Sequence, residues 1–357
     1  MERLLPGDPA PWFVAPSATT PRYSFASVAG RYILLLFPGP AERPEAAAAL
    51  ASLAAARAEG VLDDVNAAGF VIALDPDPAR APREAIPGLR VLFDRDLAIS
   101  RAYGATQPDP ASGRTRYLPL AMLLDPLLRV IATAPMAQLP ALVALLRRLP
   151  PAPLHAGQES PAPVLLLPRV FEPDLCRHLI EQYQAMGGTE SGFMVERDGK
   201  TIGTLDPGHK RRKDMIIADE PTQAAVRLRI TRRILPEIRK AFQFQATRIE
   251  RFIVACYDAA DGGHFRAHRD NTTPGTAHRR FAVTINLNDG FDGGALWFPE
   301  FSQRRFRPPI GGAAVFSCSL LHEATPVTRG TRYATLPFLY DDAAAALREA
   351  NQASFAP

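Results

Sequence analysis

HFRAHRDN, residues 264–271, decides how the second half of this 357-residue chain is read. In an extended strand, side chains two apart share a face, so His268 and Asp270 can present an imidazole and a carboxylate to one point. A second imidazole follows in LLHEATPV (320–327), at His322, after the apolar run GAAVFSC (312–318). Antiparallel strands would return it beside the first pair. Two imidazoles and one carboxylate on one face of an octahedron leave three positions open. That set suits Fe(II) that must hold a bidentate cosubstrate and still meet O₂. Arg332 heads the next apolar strand, and its planar, permanently charged fork suits a carboxylate, with Arg329 competing for the same role. His-x-Asp alone is a weak signal in a chain with seven histidines. The later His, the Arg and the double-glycine turn in DGFDGGALWF (289–298) make the set specific.

Around this stretch, the runs IERFIVACY, RRFAVTINLND, GALWFPE, GAAVFSC and RYATLPFLY are short and separated by turn residues. They predict an antiparallel sandwich or jelly roll. Helices are expected at 172–186 and 221–243. The polar stretch 192–214 reads as a mobile loop or hairpin, and its basic run HKRRKD (209–214) as a solvated surface or a lid over the site. His264 is expected outside the ligand set. Cys256 and Cys318 are expected to be packed small hydrophobes. Upstream, PPAPLHAGQESPAP (150–163) is Pro-rich and aperiodic, marking a linker between domains 1–149 and 164–357. The first domain alternates strands with helices: RYILLLF (31–37), a helix at 44–60, FVIALD (70–75), RVLFD (90–94), LAMLLDPLLRVIA (120–132) turning at Asp125-Pro126, and a helix at 139–149. That order predicts an α/β domain with a largely parallel sheet.

Composition narrows the setting. The 47% hydrophobic and 22% charged residues are ordinary for a globular protein, and a net charge of +4 demands no nucleic acid. Three cysteines without CxxC spacing argue against a disulfide framework or a thiolate zinc site. With no signal pattern and no bilayer-length apolar run, a cytoplasmic location is expected.

The blocks ACYDAADGGHFRAHRDN (255–271), TINLNDGFDGGALWFPE (284–300) and LLHEATPVTRGTRYATLPF (320–338) resemble the prolyl-4-hydroxylase-type Fe(II)/2-oxoglutarate dioxygenases, over roughly 162–342. The resemblance implies an α+β double-stranded β-helix (jelly roll) with flanking helices. It implies Fe(II) on His268, Asp270 and His322, and 2-oxoglutarate with its C5 carboxylate on Arg332. Tyr257 matches a tyrosine of the cosubstrate pocket, although a core tyrosine is an equal reading. Asn286 stands where the oxygen-sensing members carry a second cosubstrate-binding tyrosine, and it can still donate a hydrogen bond. The implied reaction consumes O₂ and 2-oxoglutarate, with ascorbate in support. It yields succinate and CO₂ while hydroxylating a peptidyl proline, another amino-acid side chain or a small molecule. The competing expectation is a non-catalytic interaction protein whose jelly roll binds metal only structurally.

GDPAPWFVAP (7–16), RYILLLF, FDRDLAISRAYGA (93–105) and MLLDPLLRVI (122–131) resemble the peroxiredoxin branch of the thioredoxin fold. Those enzymes need a reactive thiolate after the first core strand. Here that region reads PGPAERPEA (38–46), and no cysteine precedes Cys176. A non-catalytic domain is expected, serving as a scaffold or as a surface for protein contact or dimerisation.

Overall fold

Uninterrupted apolar runs bury strands on both faces, and RYILLLF does so: all residues of the strand Tyr32–Phe37 are buried. A computed structural model describes residues 4–40, 43–74, 82–109 and 115–354. The chain divides into two units, Met1–Ala162 with Pro299–Gln303, and Pro163–Phe298 with Arg304–Pro357.

In the first unit, a five-stranded sheet runs Leu89–Phe93, Ala67–Ala73, Tyr32–Phe37, Leu120–Leu124, Val130–Pro135 among the described residues. The first three strands are mutually parallel, and the last two are antiparallel to their neighbours. The sheet is therefore mixed, not largely parallel. The reason lies in LAMLLDPLLRVIA: Asp125 Oδ1 accepts from the amides of Leu127 and Arg129, both at 2.9 Å. Closing the loop on that carboxylate makes a tight reversal, which only an antiparallel pair can use. Helices Pro44–Ala58 and Leu139–Leu146 cover the sheet through Leu53, Leu139, Leu142 and Val143. Each such leucine contributes about 2 kcal/mol of burial. Ala152, expected in the linker, is buried in this same core. Of the stretch 38–46 expected to hold a redoxin's thiol, Ala41 and Glu42 lie outside the described residues.

The second unit is built on two antiparallel sheets. The larger runs Leu165–Leu167, Ala313–Ser317, Phe281–Asn286, Thr331–Thr335, Ile253–Asp258, Lys213–Ile216, Thr189–Glu190 among the described residues, with Arg248–Glu250 and Phe338–Tyr340 attached off this path. The smaller runs Lys210–Arg211, His264–His268, His322–Ala324, Leu296–Trp297, Arg305–Phe306. Helix Pro173–Met186 packs on the larger sheet with Leu175, Leu179 and Tyr183, the stripe its sequence spacing announced. The single helix expected over 221–243 is two, Glu220–Arg233 and Leu235–Phe242. Pro236 cannot donate to the preceding turn, so it opens a new helix instead of continuing the old one. Residues 193–204 form a regular hairpin, Phe193–Arg197 against Lys200–Thr204. No helix among the described residues is long and apolar enough to cross a membrane. All three cysteines are buried, and burial pushes their thiols upward, Cys176 to about 11.

Candidate active site

His268 and His322 stand directly opposite each other on adjacent strands of the smaller sheet. Their ring centroids are 4.3 Å apart. Asp270 reaches them differently from the sequence expectation. The strand ends at His268, and Asp270 lies in the turn beyond it, its amide donating to the carbonyl of Cys318 at 3.0 Å. That bond swings the carboxylate across both imidazoles: Oδ1 lies 3.5 Å from His268 Nε2, and Oδ2 lies 3.3 Å from His322 Nε2. One ligand atom from each residue falls within 4.8 Å of the others.

Both rings are oriented alike. His268 Nδ1–H donates to the carbonyl of Arg266 at 2.7 Å, and His322 Nδ1–H to that of Leu320 at 3.0 Å. Each bond fixes the tautomer that leaves Nε2 with a free lone pair. Packing holds the planes: Phe265 stacks on His268 at 3.4 Å and 19°, and Phe316 meets His322 edge-on at 4.7 Å. Burial, followed by the neighbouring His322, lowers the His268 imidazolium to about 4. Burial alone would raise the Asp270 carboxyl, but His322 and His268 hold it well below the usual carboxylate range. A neutral imidazole beside an anionic carboxylate is the state a divalent cation requires. The donor set fits a hard-to-borderline cation such as Fe(II).

Arg332, on strand Thr331–Thr335 of the larger sheet, is 2% exposed. Its Nε donates to Asn286 Oδ1 at 3.1 Å, and its Nη groups have no acceptor and no acidic partner among the described residues. A buried guanidinium without a carboxylate is a cradle waiting for an anion. Arg329, the competing candidate, is exposed and ion-paired to Asp292. Tyr257 pairs with Arg332 across adjacent strands, and Arg332 lies 5.2 Å from its ring centroid. Asn286 holds the guanidinium from behind, its amide donating to the carbonyl of Pro308 at 2.8 Å. Tyr257 and Phe265 belong to one apolar cluster, and Phe265 stacks on His268, so this cluster links the tyrosine beside Arg332 to the three-residue set. His264 lies apart, its nitrogens facing the carbonyls of Gly262 and Gly208.

Residues 252–340 match the profile of the 2OG-Fe(II) oxygenase superfamily. This stretch is a 2OG-Fe(II) oxygenase domain. All six residues singled out above, from Tyr257 to Arg332, fall within it. A PKHD-type hydroxylase of Paracoccus denitrificans is 36% identical over 84 residues, covering 21% of this chain and 37% of that protein. The chain thus spans less than half the length of the curated relatives it matches. A prolyl hydroxylase from Trichoplax adhaerens, solved with a hypoxia inducible factor peptide, is 18% identical with a TM-score of 0.39, covering 52% of this chain and 86% of that one. The peroxidoxin BcpB of Mycobacterium tuberculosis is 16% identical with a TM-score of 0.34, covering 42% and 99%.

The second unit also holds buried charged groups upstream of the matched stretch. The run HKRRKD, expected as a solvated face or a lid, is a pair of short strands. Lys210 and Arg212 are each 7% exposed, whereas Arg211 and Lys213 face solvent. Burial lowers the Lys210 ammonium to about 6, and its Nζ lies 4.8 Å over the Phe265 ring. The alternation was present in the sequence as strand periodicity. A run of charge masked it.

Proposed function

We propose that this protein is an Fe(II)- and 2-oxoglutarate-dependent dioxygenase that hydroxylates a peptidyl proline, another amino-acid side chain or a small molecule. The observation that carries the reading is Arg332, a buried cation with no acid among the described residues, whose neighbour Tyr257 belongs to the same apolar cluster as Phe265 beside the His268–Asp270–His322 set. The two antiparallel sheets are read as the halves of a double-stranded β-helix, the site lying between strand ends of the smaller sheet and strands of the larger. His268, Asp270 and His322 would hold the iron, and Arg332 the distal carboxylate of the cosubstrate. When bound, the iron supplies O₂ activation coupled to decarboxylation of the 2-oxo acid.

The chain's own groups have separate tasks. The carbonyls of Arg266 and Leu320 fix the imidazole tautomers. Phe265 and Phe316 exclude water from the ring faces. Asn286 and Pro308 aim Arg332. This role for Asn286 answers the departure from the tyrosine expected there: it acts on the arginine. A structural metal site would not require an unpaired buried guanidinium beside it, which argues against the non-catalytic alternative. The first unit, with no cysteine before Cys176, is proposed as a scaffold or a surface for protein contact or dimerisation.

Purified protein given Fe(II), ascorbate and 2-oxoglutarate should form succinate slowly without a prime substrate, and His268→Ala should not. Equal inertness of both, with no fluorescence quench by iron and cosubstrate, overturns the assignment.

A further inference from the structure

Arg212 is assigned no role by the reading above, yet its surroundings are built with care. It lies between strands Lys210–Arg211 and Lys213–Ile216, the first paired in the smaller sheet and the second in the larger. Its guanidinium is clamped bidentately by Asp214, with Nε to Oδ1 and Nη2 to Oδ2 both at 2.7 Å. Nη2 also donates to Ser191 Oγ at 3.1 Å. Asp214 is itself saturated, accepting from Ser191 Oγ at 2.5 Å and Arg251 Nη2 at 3.2 Å. The one remaining nitrogen, Nη1, donates to Tyr257 Oη at 3.3 Å, and this bond is buried. Arg212 and Arg332 thus flank one phenol ring, at 5.7 and 5.2 Å from its centroid.

The consequence concerns the phenolic proton. A hydroxyl that accepts from a fixed guanidinium has its oxygen engaged, and its own O–H must donate elsewhere. Tyr257 is 3% exposed, and its O–H meets no acceptor among the described residues. The Nη groups of Arg332 meet none either. Every uncommitted group here is a donor, so the complementary ligand group is acceptor-only, as a carboxylate is.

We infer that Arg212 is a positioning residue for the cosubstrate: by donating to Tyr257 Oη it commits the phenol to act as a donor, so that Tyr257 and Arg332 together select a 2-oxo acid with a distal carboxylate. The inference rests on the oxygenase reading and names the residue that sets its cosubstrate preference. Arg212 touches no ligand itself. Its clamp on Asp214 keeps Nη1 in place, and a lysine would not reproduce that fork.

The test is isothermal titration calorimetry on the full-length protein loaded with Mn(II), a redox-inert stand-in. Two ligands are compared: 2-oxoglutarate, and 2-oxobutanoate, which lacks the distal carboxylate. The paired variant Arg212→Met with Asp214→Asn removes the ion pair as a neutral unit, and the asparagine amide oxygen can still accept from Arg251. The variant should weaken 2-oxoglutarate about tenfold and change 2-oxobutanoate and Mn(II) by no more than about twofold. Tyr257→Phe, which leaves the Arg212–Asp214 clamp intact, should show the same selective loss. Combining all three changes should cost no more than the worse of the two variants, because the groups act as one unit. If the paired variant binds 2-oxoglutarate like wild type while Tyr257→Phe is weakened, Arg212 does not act through the tyrosine and the inference is overturned. Equal losses for both keto acids, or loss of Mn(II) itself, make its role structural and overturn it too. Should wild type bind neither keto acid, the oxygenase reading falls and takes the inference with it.

Discussion

Arg332 sets function against stability at a single side chain. Removing a buried, unpaired charge relieves desolvation that costs several kcal/mol, whereas the same removal deletes the counter-charge for an incoming carboxylate. Arg332→Met should therefore raise the thermal midpoint of the ligand-free protein while weakening 2-oxoglutarate by roughly 30-fold or more, as measured by scanning calorimetry and titration. A variant that lost stability and kept its affinity would show that the guanidinium has an internal partner. Glu250 presents the opposite case. Burial alone would raise its carboxyl, but hydrogen bonds from His278 and Arg279, with the Arg279 charge, bring it down to about 2. A carboxyl lowered by folding stabilises the protein above its ordinary value near 4.5, and that contribution is lost as pH falls from there toward 2. It amounts to roughly 2–4 kcal/mol. Urea midpoints followed from pH 6 to 2 should fall steeply in wild type and much less in Glu250→Gln, which should be weaker already at pH 6.

At the scale of elements, the double-glycine turn is the part of the site most exposed to a small change. Gly294 has φ +61, and a Cβ there would stand 2.9 Å from Val327 Cγ2 and 3.0 Å from Arg332 Cδ. Gly294→Ala should cost about 1–3 kcal/mol in backbone strain and push on the arginine, raising KM for 2-oxoglutarate more than it lowers kcat. An unchanged KM would separate the turn from the pocket. The glycine pair was legible in the sequence because tight backbone turns leave few alternatives, and so was the pairing of His268 with His322, since apolar strands carry their ends along. Asp270 was found for a reason that proved incomplete: period-two geometry named the residue, but a turn, fixed by an amide bond to Cys318, delivers it. The alternation that turns Arg212 inward is present in the sequence, but the role of its side chain is not. That role depends on Asp214, Ser191 and Tyr257 meeting the guanidinium from three separate strands or loops, and no local pattern encodes such a meeting.

For the whole molecule, the strand-rich second half and the α/β first half each have a separate apolar core, one containing Leu34, Leu53 and Leu123, the other Leu179, Ile230 and Val315. The reversal at Asp125-Pro126 is legible in the sequence, but the antiparallel placing of Leu120–Leu124 beside Tyr32–Phe37 is not, because a parallel and an antiparallel strand, both fully buried, show the same unbroken apolar run. Two cores imply two cooperative units, and the candidate ligand set belongs entirely to the second. A ligand that binds only the folded state stabilises by mass action, about 2.7 kcal/mol at a hundredfold excess over Kd. Scanning calorimetry of the full-length protein should therefore resolve two transitions, and Mn(II) with saturating 2-oxoglutarate should move one of them upward by several degrees. Asp270→Ala should abolish that movement and leave the other transition where it was. A single transition that shifts as one body would mean that the two cores melt together and that ligand binding in the oxygenase domain stabilises the entire chain.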